Sequence, residues 1–387
     1  MANPADIALR KAAAGECLSD DDAYALCHLG SERLEDLCEV ASALRDRFHA
    51  RRLTYSPKVF LPITNLCRDR CSYCTFRRDP GSGGEWTMSP DQIADWSRRG
   101  SSSGCVEALM CLGDRPEVAF RGFHELLASY GVETTAEYVV RACGIALEHG
   151  LLPHTNAGLL SSREMAALRT VNVSMGLMLE NISPRLRDRG MPHHYAPDKD
   201  PQRRMRMIAE AGELAIPFTT GILVGIGERE AERIASLIAI RDVHARYGHI
   251  QEVIVQNFRA KEATAMAGAS EVDEDTMVRT VAIARLVLGA EMNLQAPPNL
   301  SPAAHRRLIR AGINDWGGIS PLTMDYVNPE APWPHLERLR QSCAAEGFDL
   351  LPRLPVYADY IKECWIDPAM MAVLERFEEG AGGAIAI

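Results

Sequence analysis

No run of about 18 consecutive apolar residues occurs in the chain, so a membrane-spanning helix is not expected. The first residues, MANPADIALRKAAAGE, lack an apolar h-region, so no secretory signal is expected and the protein is read as cytoplasmic. Positive charge is in deficit: 42 Lys and Arg face 52 Asp and Glu, a formal net charge of −10, which argues against a broad electrostatic grip on nucleic acid. Low-complexity tracts and short repeats are absent. The Gly-rich stretch RRDPGSGGEW (77–86) lacks the Lys-Ser/Thr ending of a phosphate-binding loop and is expected to be a mobile surface loop.

What is present is an ordinary globular composition, 47% hydrophobic and 24% charged over 387 residues, which excludes a largely disordered chain. Length alone suggests two or three domains at about 150 residues each, although an α/β barrel reaches this size as one unit. Residues 1–50 read as an amphipathic helical extension, with Ser19 before three aspartates capping one helix and Ser31 starting another. From Lys58, short apolar runs alternate with helical patterns. The predicted strands are 58–64, 106–112, 151–157, 171–179, 217–225, 252–258, 292–297 and 314–320. The predicted helices are 90–100, 117–130, 135–149, 161–169, 201–214, 228–246, 273–289 and 301–311. Strands buried on both faces and separated by helices point to an α/β fold: a TIM-type (β/α)8 barrel over 51–365, closed or incompletely closed. Residues 366–387 are expected to form a C-terminal helix and a frayed tail.

Eleven cysteines without a secretory signal read as thiols or metal ligands rather than a disulfide framework. Three are clustered: Cys67, Cys71 and Cys74 form C-x3-C-x2-C just after the first predicted strand. Structural zinc wants four ligands, commonly from two knuckles, and no second knuckle follows. Iron–sulfur clusters also normally take four thiolates, so three would leave one iron of a 4Fe–4S cluster open to a small molecule. Spacing alone leaves both metals open. In a barrel, the loop after strand one lies on the face that carries the chemistry. Cys105 and Cys111 flank an apolar strand and are expected in the core. Cys17, Cys27, Cys38, Cys143, Cys343 and Cys364 have no ligand spacing.

The segment CRDRCSYC (67–74) resembles the signature of the radical S-adenosylmethionine (SAM) superfamily, with Tyr73 as its aromatic residue. The resemblance implies that SAM chelates the open iron and is cleaved by one-electron reduction to methionine and a 5′-deoxyadenosyl radical. It also implies the SAM contacts. LGDRPE (112–117), with Gly113, Asp114 and Glu117, is similar to the segment that holds the SAM amino group, although Asp114 replaces a glycine, which favours backbone contacts. Glu180 in MLEN (178–181) is a polar contact, and Arg204 pairs with the SAM carboxylate through its bidentate fork. Gly225 in GILVGIGE (221–228) lies near the adenine, and Gln256 is a further candidate.

Longer segments narrow the resemblance. YSPKVFLPITNLCRDRCSYCTFRR (55–78), HHYAPDKDPQRRMRMI (193–208) and GINDWGGISPLTMDYVNP (312–329), among others, resemble the 7,8-didemethyl-8-hydroxy-5-deazariboflavin (FO) synthase subunit 1 family over roughly 50–365. That family implies a lyase. It converts the 4-hydroxybenzyl adduct of 5-amino-6-(D-ribitylamino)uracil to FO with loss of ammonia, on the route to coenzyme F-420. A sister radical SAM subunit supplies the adduct, and an electron donor is required. Some relatives fuse both subunits; one cysteine motif and one barrel resemble the stand-alone subunit, with a piece of a fused chain as the alternative. Rivals are another radical SAM enzyme, of the sister or menaquinone-pathway type, and a non-catalytic zinc-binding protein.

Residues for the substrate are not fixed by the motifs. His193 and His194 sit in a Pro-rich loop expected to be exposed, with substrate contact as the alternative. Asp198 and Lys199 could touch the ribityl or uracil groups or form a surface ion pair. Asn314, Asp315 and Ser320 are placed at the barrel mouth, as substrate contacts or as a capped turn, and Tyr326 could meet a phenol or simply pack.

Overall fold

The computed structural model describes residues 3–381, with side chains to residue 377. Nine strands form one parallel sheet: β1 Arg52–Pro62, β2 Glu107–Cys111, β3 Leu152–Asn156, β4 Ser174–Gly176, β5 Phe218–Val224, β6 Ile250–Asn257, β7 Leu294–Gln295, β8 Asp315–Ile319 and β9 Asp349–Pro352. The order β2-β3-β4-β5-β6-β7-β8-β1, with β2 pairing back onto β1, closes an eight-stranded barrel. The fold is therefore a closed TIM-type (β/α)8 barrel, and the incomplete alternative is set aside.

All eight predicted strands are present, with shifted bounds. β1 starts at Arg52 rather than 58 because its first residues, Arg52–Tyr55, pair with β9, while Lys58–Pro62 pair with β2. β4 is much shorter than 171–179, since the chain leaves the ladder toward Glu180, whose φ is 64°. The predicted helix 117–130 is two helices, Pro116–Ala119 and Gly122–Ser129, broken where Phe120 turns extended at φ −127°. The other seven predicted helices are found within a few residues. Helix Leu336–Ala345 and β9 were not predicted.

Side-chain caps set several helix starts, each contributing about 1 kcal/mol. Ser19 and Asp22 form a reciprocal capping box, as the sequence suggests. Ser31 does not cap a helix: it opens a 3-10 turn, and the following helix Leu34–Asp46 begins after Arg33 with no side-chain cap. Asp200 caps helix Pro201–Glu213 through Gln202 N (2.9 Å) and Arg203 N (3.2 Å), which fixes where Arg204 emerges. A helix spans Pro368–Ala381. Of the expected frayed tail, residues 382–387 lie outside the described residues. No helix among the described residues is long and apolar enough to cross a membrane.

Strand alternation sends every second side chain into the lumen. On β1 these are Lys58 and Phe60, on β2 Glu107, Leu109 and Cys111, and on β3 His154 and Asn156. Neighbours of opposite parity, such as Val59, Leu61 and Ala108, are fully buried against the helices.

Candidate functional site

A cavity of about 370 Å³ opens at the C-terminal ends of the strands and runs into the barrel. Cys67, Cys71 and Cys74 line its rim on the loop after β1. That loop is stitched to the segment before helix Pro201–Glu213: Arg70 N donates to Tyr195 O and Ser72 N to Pro192 O, both at 2.9 Å. Asp198 N donates to Asp69 Oδ1 at 3.0 Å. The stretch from Pro192 to Asp198 therefore positions the cysteine loop. Asp198 does not face the cavity; it is buried between Arg68 and Arg203, each at 2.8 Å.

None of the three thiols is in a disulfide. Burial pushes Cys67 up to about 12 and Cys71 higher still, so thiolates need a bound cation here. A tetrahedral zinc about 2.3 Å from each sulfur would hold the sulfurs about 3.8 Å apart. The three sulfurs do not all lie within 4.8 Å of one another, a spacing that suits a larger multi-iron group. Asp114 N donates to Cys67 Sγ at 3.1 Å. Behind the loop, Leu186, Leu223, Ile226 and Phe258 pack against Tyr73, Cys71 and Cys74 and keep water away.

Tyr73 lines the cavity, and its hydroxyl is 2.9 Å from His193 Nε2. His193 is thus buried rather than exposed, because its ring is the hydrogen-bond partner of a buried phenol; His194 is exposed. Glu180 and Lys199 form a cavity-lining ion pair at 2.5 Å. Burial alone would raise the Glu180 carboxyl, but the Lys199 and Arg204 charges outweigh it and hold it below its usual value. Burial opposes the Lys199 charge in the same way, and Glu180 more than offsets that.

Arg204 is 4% exposed and has no carboxylate within ion-pairing distance among the described residues. Its Nε donates to Met178 O at 2.7 Å and its Nη1 to Asp198 O at 2.9 Å. Nη2 has no protein partner among the described residues, and the guanidinium borders the cavity. A fixed, buried cation with a free donor is built to receive an anion.

Gly113 and Asp114 also line the cavity. A Cβ on Gly113 would sit 2.1 Å from Leu66 O, so glycine lets the loop after β2 lie against the cysteine loop. Asp114 accepts from Leu159 N at 3.2 Å through Oδ2, while Oδ1 is buried without a partner. Burial first, then the nearby Asp198 and Asp69 carboxylates, push Asp114 up to about 7. Its side chain is therefore available at the cavity, and not only its backbone.

The structure does not bring every predicted residue to this cavity. Glu117 accepts from Thr135 Oγ1 at 2.5 Å on the other side of its loop. Gly225 stands at φ 97° in a turn where the Glu228 carboxylate accepts Gly225 N and Ile226 N (2.9 and 2.8 Å), so it shapes the wall behind Ile226. Gln256 lines the cavity. Asn314 and Asp315 lie at the start of β8, hence at the barrel's closed end and not its mouth, where they bond Arg285 and Arg353. Ser320 pairs with Thr323 in a turn, and Tyr326 packs beside Trp86. Cys111 faces the lumen, not the core, because it shares the parity of Glu107 and Leu109, whereas Cys105 is buried.

The sequence profile of the Radical SAM superfamily matches residues 61–238, which contain the cysteine loop, Glu180 and Arg204. A Methanopyrus kandleri protein named 7,8-didemethyl-8-hydroxy-5-deazariboflavin synthase is 45% identical over 333 residues, covering 86% of this chain and 99% of that one. The chain belongs to this synthase family, within the radical SAM superfamily. FO synthase of Mycobacterium tuberculosis H37Rv is 47% identical over 97% of the chain, but the match spans only 46% of that protein. The chain thus covers about half the length of several curated relatives of the synthase family. Among solved structures, the hydrogenase maturase HydG of Carboxydothermus hydrogenoformans (TM-score 0.74, 18% identity, 98% of this chain and 85% of that) and methylornithine synthase (TM-score 0.68, 18% identity, 89% and 97%) share the fold.

Sequence motifs missed the lumen below the rim: Lys58, Glu107, His154, Glu252 and Gln295. The available signal was a polar residue at alternate positions of otherwise apolar strands.

Proposed function

We propose that this chain carries out the deazaflavin-forming step: conversion of the 4-hydroxybenzyl adduct of 5-amino-6-(D-ribitylamino)uracil to FO, with loss of ammonia, as a cyclising lyase in coenzyme F-420 formation. The observation that carries this is 45% identity to a full-length relative of that name, over a site whose three thiols and free arginine suit the required cofactors. Cys67, Cys71 and Cys74 would hold a 4Fe–4S cluster, which with SAM bound supplies the reductive cleavage that yields the 5′-deoxyadenosyl radical. Arg204 receives the SAM carboxylate. Glu180, held ionised by Lys199, and the Gly113–Asp114 turn offer acceptors to its amino group and ribose. The apolar wall of Leu223, Ile226 and Phe258 excludes water from the thiol side. The sister activity that makes the adduct is assigned to a separate chain, or to the portion of the longer FO synthases that this chain does not match.

The test is anaerobic. Protein reconstituted with iron and sulfide receives dithionite, SAM and the adduct. 5′-Deoxyadenosine together with a fluorescent deazaflavin is the expected outcome. 5′-Deoxyadenosine without deazaflavin would move the substrate to a sister reaction.

A further inference from the structure

The cavity continues below the rim, past the cofactor residues, to the closed end of the barrel. A lumen of this class is ordinarily packed with branched apolar side chains. Here Lys58, Glu107, His154, Glu252 and Gln295 point inward and line the cavity. Glycines make the room. A Cβ on Gly318 would fall 1.9 Å from Lys58 Cε, and one on Gly317 would fall 1.9 Å from Gln295 Nε2. A Cβ on Gly176 would sit 3.1 Å from His154 Nε2. The paired glycines of DWGGIS therefore hold open a polar chamber.

The charges of that chamber are paired within it, two cations against three carboxylates, and burial pushes the third, Glu252, up to about 7. Lys58 Nζ lies 2.8 Å from Glu107 Oε1. Arg353 closes the bottom, with Nε 2.6 Å from Asp315 Oδ2 and Nη2 2.7 Å from Glu252 Oε1. Two buried side chains, by contrast, keep uncommitted polar atoms beside the cavity. Gln295 is 6% exposed, and its carboxamide has no hydrogen-bond partner among the described residues. His154 is 8% exposed, and its Nδ1 lies 2.7 Å from Ser174 Oγ. Ser174 Oγ donates its single proton to Pro355 O at 2.6 Å, so it must accept from Nδ1–H. That fixes the tautomer and leaves the Nε2 lone pair facing the cavity. Burial lowers the ring to about 4, so it stays neutral near pH 7.

An anion gains nothing from a neutral imidazole beside Glu107, and a cation meets Lys58. A neutral ligand rich in hydroxyl or imide N–H donors meets an acceptor at His154 Nε2 and both a donor and an acceptor at Gln295. We propose that this chamber binds the uncharged polyol end of the substrate, with His154 and Gln295 as its specificity-determining contacts. The proposal rests on the functional reading above. The reacting benzylic carbon must lie at the rim near the thiols, and the ribityl chain is the part that can reach down the lumen.

The experiment uses reconstituted holoenzyme with SAM and two adducts, one carrying ribityl and one with a methyl group in its place. Gln295→Leu breaks no internal hydrogen bond, and His154→Phe is the second variant. Each is expected to raise KM for the ribityl adduct about tenfold, the worth of one hydrogen bond to a buried group, and to leave KM for the methyl adduct unchanged. Iron content and SAM affinity stay at wild-type values. Equal changes on both adducts, or none on either, overturn the proposal. Wild-type protein that forms no deazaflavin from either adduct overturns the functional reading itself, and the chamber assignment with it.

Discussion

Two buried arginines stand at opposite ends of one barrel and are treated differently. Arg353, at the closed end, is gripped by Asp315 and Glu252, and its guanidinium stacks over Tyr357 at 4.3 Å. Arg204, at the open end, is held only by two backbone carbonyls and keeps one nitrogen for the cavity. Lack of a carboxylate is not by itself the sign of function. Arg285 also lacks one, yet it bonds four backbone carbonyls and Asn314 Oδ1 and has no cavity to face. What marks Arg204 is a fixed cation with an uncommitted donor beside open volume. Arg353 is committed to carboxylates, whereas Arg204 keeps a donor for the cavity.

That contrast can be broken by substitution. The largest effect belongs to the thiols. Cys71→Ala is expected to lose cluster iron and all turnover, whereas Cys343→Ala, which removes only a buried partner of Trp316 Nε1, keeps both. Equal iron content in the two purified variants would contradict the ligand assignment. The arginines come next. Arg353→Met leaves two buried carboxylates without their cation and should cost about 3–5 kcal/mol, read as a fall in urea midpoint with SAM affinity unchanged. Arg204→Met should do the reverse, weakening SAM binding about 30-fold with a small stability change, since a charge-assisted contact is worth about 2 kcal/mol.

Smaller effects sharpen the boundary between the ends. Tyr73→Phe removes the hydrogen bond to His193 and should cost about 1 kcal/mol in stability, with SAM affinity within about twofold of wild type. A second effect of that size lies outside the barrel mouth. Glu232 ties Ser183 and Arg185 to the start of helix Glu230–Tyr247, and its hydrogen bond with Arg185 leads the causes that lower it to about 2. Its folded value lies below its unfolded value near 4.5, so its contribution is complete above that pH and fades as pH falls toward 2. Glu232→Gln should therefore lie about 1 kcal/mol below wild type at pH 7, allowing for its partial exposure, with a narrower gap at pH 3.

The open end was far more legible in the sequence than the closed end, for a physical reason. The cysteines sit within eight residues, and a metal imposes their spacing. The strands around them bury both faces, so apolar runs announced all eight barrel strands. At the closed end each polar residue finds its partner far along the chain: Ser56 bonds Glu107 51 positions away, and Arg353 reaches Glu252 across 101. β9 is not legible because DLLPRLPVY, with two prolines, reads as a loop. Its extended form comes from pairing with the first residues of β1, a tertiary cause. The segment 193–208 is legible by resemblance, but its hold on the cysteine loop shows only in the bonds from Arg70 N to Tyr195 O and from Asp198 N to Asp69 Oδ1.

The most direct test of the central claim uses the adduct carrying deuterium on its benzylic carbon, incubated anaerobically with reconstituted protein, dithionite and SAM. Mass spectrometry of the 5′-deoxyadenosine should find one deuterium transferred, alongside deazaflavin. Deazaflavin accompanied by unlabelled 5′-deoxyadenosine would contradict hydrogen removal from that carbon, and with it the placement of the substrate beneath the three thiols.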